Sequence, residues 1–427
     1  MKIYALKQGF QKELEFIAAD KSISHRFAIF SMLCEDECFA NNYLLAEDTL
    51  NTIEIIRLLG ARVQRNSSQV SIKAPKKINS PSRILECGNS GTTMRLMMGF
   101  LSGVEGFFVL SGDKYLNQRP MKRISEPLRQ IGACIYGRED SNLAPLCIQG
   151  SVLKGFDYES KISSAQVKTA LILAAFRANC LSHFSEPILS RNHSENMLLA
   201  MEAPIKLKEN GLKIEISPLK KPLKALNITI PNDPSSAFYF AVAGAILPNS
   251  RVVLKNVLLN PTRIQAFKVL EEMGAKIAFK ELNNDFESVG EIVVESSRLK
   301  AVRVSEKISW LIDEAPALAI AFACADGVCV LENAQELRVK ESDRIKAVVS
   351  NLQKCGIRAK ELETGFEIEG GKVQAAKIQS FGDHRIAMSF AILGLLCGVE
   401  IDDCDCINTS FPNFLSILEN LGAKIER

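Results

Sequence analysis

Arg338-Val339-Lys340-Glu341-Ser342-Asp343-Arg344 sets five charged side chains in seven positions. Two arginines and a lysine supply charge-assisted donors, partly bidentate, of the kind that suits phosphate or carboxylate. The apolar residues Val328, Cys329, Val330 and Leu331 ahead of it read as a buried strand. Behind it Ile345, Val348, Val349 and Leu352 recur at i, i+3, i+4 and i+7, which predicts an amphipathic helix with Ser342 as N-cap and Gly356 just past its end. The charges therefore fall in a strand-to-helix connection, where backbone N–H groups already favour an anion. Taken alone, a charge run of this kind is better explained as a solvated turn, with Glu341 answering Arg338 or Arg344.

Other stretches tilt that balance. Six segments, starting near Lys21, Gly91, Ala165, Ser236, Asp313 and His384, read as helices that are apolar almost all round and belong in an interior. Their first turns are nonetheless polar: Lys21, Ser22 and Arg26; Thr92, Thr93 and Arg95; Ser164, Gln166 and Lys168; Asp233, Ser235 and Ser236; Asp313 and Glu314; Asp383, His384 and Arg385. Buried helices with polar tips point those tips at a cleft, and aligned dipoles make it attractive to anions. Capping and first-turn acids account for the serines and carboxylates. They do not account for Lys21, Arg26, Arg95, Lys168 and Arg385, which the dipole disfavours unless an anion is shared.

The elements that carry these tips are repeated. Ile56-Arg57-Leu58-Leu59-Gly60-Ala61-Arg62-Val63 returns as Leu128 to Ile135, Leu270 to Ile277, Leu352 to Ile357 and Ile417 to Ile425, and a degraded copy surrounds Ala203. Successive copies stand about 70 residues apart, the spacing of a repeated structural unit. Each predicts an amphipathic helix, a stop in the left-handed region and an alternating strand. Six units divide as three plus three, with a boundary near Ile228 to Pro234, and the N-terminal strand, Tyr4 to Gly9 leading into Leu14 to Ile17, is assigned to the C-terminal half. The expected domains are 18–231 and 1–17 plus 232–427.

Composition narrows the function. At 427 residues the chain suits two or three domains. Lys and Arg total 52 against 49 Asp and Glu, so a +3 balance gives no global drive toward nucleic acid or membrane, and any basic site is local. Charges at Lys2, Lys7, Lys12, Glu13 and Glu15 interrupt any signal-peptide core, and the apolar runs Ala315 to Ala325 and Ala387 to Val399 fall short of a bilayer span. A cytoplasmic protein is expected. Twelve cysteines are scattered without metal-site spacing, so reduced, mostly core thiols and no metal or other cofactor are expected.

Nine motifs, in order through nearly the whole chain, resemble those of the 5-enolpyruvylshikimate-3-phosphate (EPSP) synthases. They are Asp20 to Arg26, Gly88 to Arg95, Arg119-Pro120-Met121, Ser163 to Lys168, Ser190 to His193, Trp310 to Ala317, Arg338 to Arg344, Asp383 to Met388 and Thr409 to Pro412. The resemblance implies an α/β protein of two similar inside-out α/β barrel domains, each of three repeated units, with the active site between them. It implies transfer of the enolpyruvyl group of phosphoenolpyruvate to the 5-hydroxyl of shikimate 3-phosphate, with release of phosphate. Both substrates carry a carboxylate and a phosphate, which is what a local surplus of cations would serve.

By the same resemblance Asp313 takes the hydroxyl proton, Glu341 acts at the methylene carbon, and Lys21 bridges both substrates and steadies the leaving phosphate. Shikimate 3-phosphate would meet Lys21, Ser22, Arg26, Ser164, Gln166, Arg191, Asp313 and Lys340. Phosphoenolpyruvate would meet Lys21, Gly91, Arg119, Gln166, Arg344 and Arg385. Gly91 implies sensitivity to glyphosate, because members with alanine there resist it. His25 is assigned to the helix surface, and His193 and His384 receive no proton-transfer role. Two departures stand out. Ala18-Ala19 replaces the usual Pro-Gly, so that turn must be closed another way, and Thr409 stands where many members have lysine, as in the second bacterial branch. The alternatives are a UDP-N-acetylglucosamine enolpyruvyl transferase, which needs an acid cysteine that Gly112 to Arg119 lacks, and a phosphometabolite-binding protein without turnover. Against the latter, Asp313 and Glu341 would repel a merely bound anion. A monomer is expected.

Overall fold

The computed structural model describes residues 1–284 and 286–427. It is a mixed α/β structure that divides into two compact units, Lys21–Ile230 on the one hand and Met1–Asp20 with Pro231–Arg427 on the other.

Each unit holds three four-stranded sheets of one pattern, in which an outer strand runs parallel to its neighbour and the other pairings are antiparallel. In the Lys21–Ile230 unit one sheet is ordered Leu85–Glu86, Phe107–Ser111, Leu143–Gln149, Cys134–Gly137. The second is ordered Asp157–Glu159, Ser182–Ser185, Lys213–Ile216, Ile205–Lys208. In the third, the outer parallel strand is Asn227–Thr229, at the end of the unit, beside Cys38–Asn41.

The other unit borrows strands from the N-terminus. Gln11–Leu14 runs parallel to Arg251–Leu258, and Lys2–Ile3 lies antiparallel between Val399–Ile401 and Ile425–Glu426. The strands thus fall on either side of Tyr4–Gly9 rather than along it, and Leu14 ends a strand instead of starting one. The segment Ala18-Ala19 is closed by pairing: Ala19 bridges Asn232, the Asp20 N–H donates to the Pro231 carbonyl at 2.8 Å, and the Asp233 N–H donates to the Ala18 carbonyl at 2.8 Å.

The six apolar helices are Lys21–Ser31, Gly91–Ser102, Ala165–Ala175, Pro234–Ile246, Ala315–Ala323 and His384–Cys397. The last three pack on one another, and the Gly91 helix packs on the Lys21 and Ala165 helices. Gly99 permits that last approach, since a Cβ there would fall 2.1 Å from the Ala170 carbonyl oxygen. Two starts differ from expectation. Asp233 caps the fourth helix by accepting from the Ser235 N–H, so Pro234 rather than Ser236 opens it. Asp313 lies outside the fifth helix, in the turn 312–314 between Ile308–Leu311 and Ala315–Ala323, because Pro316 lets a helix begin only just ahead of it.

The repeated helix, stop and strand occur six times. Gly60, Gly132, Gly274, Gly356 and Gly422 take φ of 104°, 103°, 93°, 79° and 101°. In the degraded copy Glu202 takes the left-handed place at φ 58°, a conformation that costs glycine least. The Arg344–Lys354 helix is capped by Asp343, which accepts from the Lys346 N–H at 3.1 Å. Ser342, expected as the cap, donates instead to Asp383 Oδ2 at 3.0 Å. All twelve cysteines are free, and only five are buried, so they are less a core feature than expected. Among the described residues no helix is long and apolar enough to cross a membrane, and no group of three or more His, Cys, Asp or Glu is placed to hold a metal ion.

Candidate active site

In the Lys21–Ile230 unit the site is built around the start of the Gly91 helix. Ser90 caps it, accepting from the Thr93 N–H at 3.1 Å. A Cβ on Gly91 would lie 2.7 Å from Arg95 Nη1 and 3.5 Å from Arg119 Nη1, so the absent side chain leaves room for two guanidiniums. Arg95 Nη1 donates to Gln166 Oε1 at 2.8 Å, Arg123 Nη2 reaches the same oxygen at 3.4 Å, and Gln166 Nε2 donates to Thr92 Oγ1 at 3.1 Å. Arg119 donates to the Asn89 carbonyl at 3.2 Å and to its amide oxygen, while the Asn89 amide nitrogen donates to Asp113 Oδ2 at 2.7 Å. Gly91, Arg119 and Gln166 are therefore brought together with Arg95 and Arg123, which were absent from the expected contact set. Arg95 could have been included, four residues after Gly91 on one helical face. Nothing in the sequence singles out Arg123.

Lys21 opens its helix with Nζ 3.2 Å from Asp48 Oδ2 and its side chain 19% exposed. Arg26, by contrast, is 3% exposed and acts as a joint: Nε donates to Ser194 Oγ at 2.7 Å, Nη2 to Thr169 Oγ1 at 3.1 Å and Nη1 to the Ser22 carbonyl at 3.1 Å. Ser164 caps the Ala165 helix. Lys168 corrects the reading of the helix tips. It is fully buried, with Nζ 2.7 Å from Glu186 Oε1 and 2.6 Å from Glu195 Oε1, so carboxylates of the protein account for its charge without a shared ligand. Its contact at 3.5 Å with the Ser190 carbonyl fixes the segment that leads into Arg191. His25 is not on the helix surface either. It is buried with Nδ1 2.7 Å from Thr52 Oγ1, and burial, followed by the charges of Lys21 and Arg26, holds its pKa well below the usual histidine range.

In the other unit, Asp313 is the hub. Its Oδ1 lies 3.6 Å from Arg344 Nη1 and 3.8 Å from Lys340 Nζ, and its Oδ2 lies 3.9 Å from Arg385 Nη2. Arg385 Nη1 also donates to the Asp313 carbonyl at 2.9 Å. Glu341 Oε2 accepts from Arg344 Nη2 at 2.6 Å, and Asp383 accepts from Arg344 Nε at 2.8 Å and Nη2 at 3.2 Å. Arg344 is 1% exposed. Burial alone would lower its pKa, but Asp383 and Glu341 outweigh that and raise it. Burial alone would raise that of Asp383, but the Arg344 charge outweighs it and holds the carboxyl below its usual range. Asp383 also caps the His384 helix through the Arg385 N–H at 2.9 Å, which places Arg385 beside Asp313. Thr409 turns its hydroxyl to the Cys406 carbonyl at 2.7 Å.

Residues 7–418 match the family model described as EPSP synthase (3-phosphoshikimate 1-carboxyvinyltransferase). The chain belongs to the EPSP synthase family. Over 427 residues, the whole of both chains, it is 67% identical to the 3-phosphoshikimate 1-carboxyvinyltransferase of Campylobacter jejuni subsp. jejuni serotype O:6. It is 58% identical over 426 residues to the protein of that name from Campylobacter curvus, again across the whole of both chains. An EPSP synthase structure from Acinetobacter baumannii is similar at a TM-score of 0.87 and 35% identity, covering 100% of this chain and 99% of that one. The protein is thus an enzyme with the activity of the EPSP synthases, 3-phosphoshikimate 1-carboxyvinyl transfer. The readings as a UDP-N-acetylglucosamine enolpyruvyl transferase or a binding protein without turnover are set aside.

Proposed function

We propose that the two residue sets serve one reaction, the transfer of the enolpyruvyl group of phosphoenolpyruvate to the 5-hydroxyl of shikimate 3-phosphate. In this reading the two units are inside-out α/β barrel domains, 18–231 and 1–17 plus 232–427, of a cytoplasmic monomer that works without metal or other cofactor, and the substrates bind between them. A proton added to the methylene carbon makes the neighbouring carbon electrophilic. The 5-hydroxyl oxygen bonds to it and loses its proton. The C–O bond to phosphate then breaks, and loss of a methyl proton restores the enol ether. An acid and a base are needed. Asp313 takes the hydroxyl proton, Glu341 acts at the methylene carbon, and Lys21 bridges the substrates and steadies the leaving phosphate.

Shikimate 3-phosphate is held by Lys21, Ser22, Arg26, Ser164, Gln166, Arg191, Asp313 and Lys340. Phosphoenolpyruvate is held by Lys21, Gly91, Arg119, Gln166, Arg344 and Arg385. The observation that carries the reading is the Asp313 hub: one carboxylate within 4 Å of three cations, Lys340, Arg344 and Arg385, with Glu341 on the same Arg344. Such a cluster orients carboxylates for proton transfer beside cations suited to phosphate. Phosphate release measured with both substrates, and with each alone, tests it: release only with both, retained in chelator, is expected, and a requirement for one divalent ion would contradict it.

A further inference from the structure

Arg263 lies just ahead of the Gln265–Glu272 helix, 1% exposed, in the unit of Met1–Asp20 and Pro231–Arg427. Its Nη1 is 2.5 Å from Asp20 Oδ2, and its Nη2 is 2.8 Å from Asp233 Oδ1 and 3.0 Å from Ser235 Oγ. Ser235 donates in turn to Glu314 Oε1. The chain leaves this unit after Asp20 and re-enters it at Pro231, so a single guanidinium holds a carboxylate on each crossing segment. The outer members of the cluster are also chain neighbours of the residues assigned to the chemistry: Asp20 precedes Lys21, and Glu314 follows Asp313.

Stability alone does not call for this arrangement. Removing a guanidinium and three carboxylates from water is costly, and well-packed apolar side chains join buried segments as well or better. A planar fork, however, fixes direction as well as distance, and two of its N–H groups here reach two carboxylates that enter from different segments. Burial alone would favour loss of the guanidinium proton, but the charges of Asp20, Asp233 and Glu314 outweigh it and hold the group cationic.

We infer that Arg263 is a positioning residue for the transfer reaction: through Asp20 it fixes where the Lys21 helix begins, and through Ser235 and Glu314 it fixes the turn that carries Asp313. The inference rests on the reading of Lys21 and Asp313 given above. It assigns Arg263 no contact with substrate.

The test uses the full chain, with phosphate release for turnover and the fluorescence of Trp310, the one tryptophan and three residues from Asp313, for binding of shikimate 3-phosphate. Arg263→Gln should lower kcat roughly a hundredfold, the scale of an ångström-sized misplacement, while shikimate 3-phosphate still binds. Arg263→Lys, which keeps the charge and loses the fork, should recover only part of that. If Arg263→Gln does not fold, Ser235→Ala decides, since it removes the hydroxyl that accepts from Arg263 and donates to Glu314 and leaves the Asp20 and Asp233 pairs of Arg263. It should lower kcat about tenfold with both KM values within about twofold. A folded Ser235→Ala with unchanged kcat overturns the inference. So does full rescue of kcat by Arg263→Lys, which would leave only a charge requirement. Lys21→Met and Asp313→Asn separate the two levels: if they lose turnover and the Arg263 and Ser235 variants do not, only this inference fails; if they keep turnover, the underlying site reading fails.

Discussion

The arginines of the two units are held in different ways. In the Lys21–Ile230 unit Arg95 and Arg119 donate to amide and carbonyl oxygens, those of Gln166, Pro120 and Asn89. In the other unit Arg344 donates to the carboxylates of Glu341 and Asp383 and lies beside Asp313, which Arg385 and Lys340 also approach. A bond to a neutral dipole sets the direction of a guanidinium, whereas a bond to a carboxylate sets the direction of the carboxylate as well. The first arrangement suits donors aimed at a bound anion. The second suits carboxylates that must be aimed before they move a proton. One unit is thus read as the larger contributor to binding, the other as the larger contributor to the chemical step.

The largest expected effect tests the second half of that division. Asp313→Asn and Glu341→Gln should each slow turnover by roughly a hundred- to ten-thousand-fold, the loss typical of a general acid or base, with shikimate 3-phosphate binding largely retained in a Trp310 fluorescence titration. Near-full turnover in either would remove that residue from the chemistry. Arg119→Met tests the first half. Loss of charge-assisted hydrogen bonds of about 1.5–3 kcal/mol should raise the KM for phosphoenolpyruvate by roughly ten- to a hundredfold, with a smaller change in kcat. A variant hurt mainly in kcat would break the comparison.

Gly91→Ala should have a smaller and more selective effect. The added methyl, 2.7 Å from Arg95 Nη1, must displace a guanidinium, at an overpacking cost of about 1–3 kcal/mol. Glyphosate, longer than phosphoenolpyruvate and bound in its place, should lose more than the substrate does. Inhibition and Michaelis constants measured side by side check this, and equal shifts in the two would count against it.

The smallest effect is on stability, and it differs between the units. Buried His25 has its folded pKa below the unfolded value near 6.5, so the unfolded chain binds the extra proton as pH falls. Stability of the Lys21–Ile230 unit should be full above about pH 6.5 and decline below it, by at most about 1.4 kcal/mol per pH unit from this group. Asp383, whose pKa is lowered by Arg344 against the effect of burial, retains its contribution until the pH falls below about 4. Thermal melts between pH 7 and 5 should show a decline that His25→Gln flattens and Asp383→Asn does not.

Much of the fold was legible because it rests on local rules repeated six times. Four of the six apolar helices begin at the expected residue, Lys21, Gly91, Ala165 and His384, the last three because a cap from Ser90, Ser164 or Asp383 and the apolar run together fix a start. Two starts differ for local reasons, the Asp233 cap ahead of Pro234 and Pro316 just after Asp313, and the other misreadings came where neighbours distant in sequence decide. Lys168 looked like a cation awaiting an anion until the fold supplied Glu186 and Glu195, and His25 looked like surface until Thr52 and the packed interior enclosed it. Ser342 lost the cap to Asp343 because Asp383, 41 positions away, takes its hydroxyl.

The sequence by itself determined the repeat, the left-handed stops and the nine motifs, since each depends on residues within a turn or two of one another. Only the tertiary structure decided which charges answer which. It set Arg95, Arg119 and Arg123 around Gly91 and Gln166, gathered Lys340, Arg344 and Arg385 about Asp313, and gave Arg263 a carboxylate on each crossing of the chain. The physical reason is range. A cap or a glycine stop is settled by the backbone beside it, whereas a buried charge is settled by whichever opposite charge or dipole the folded chain brings within about 4 Å, whatever their separation in sequence.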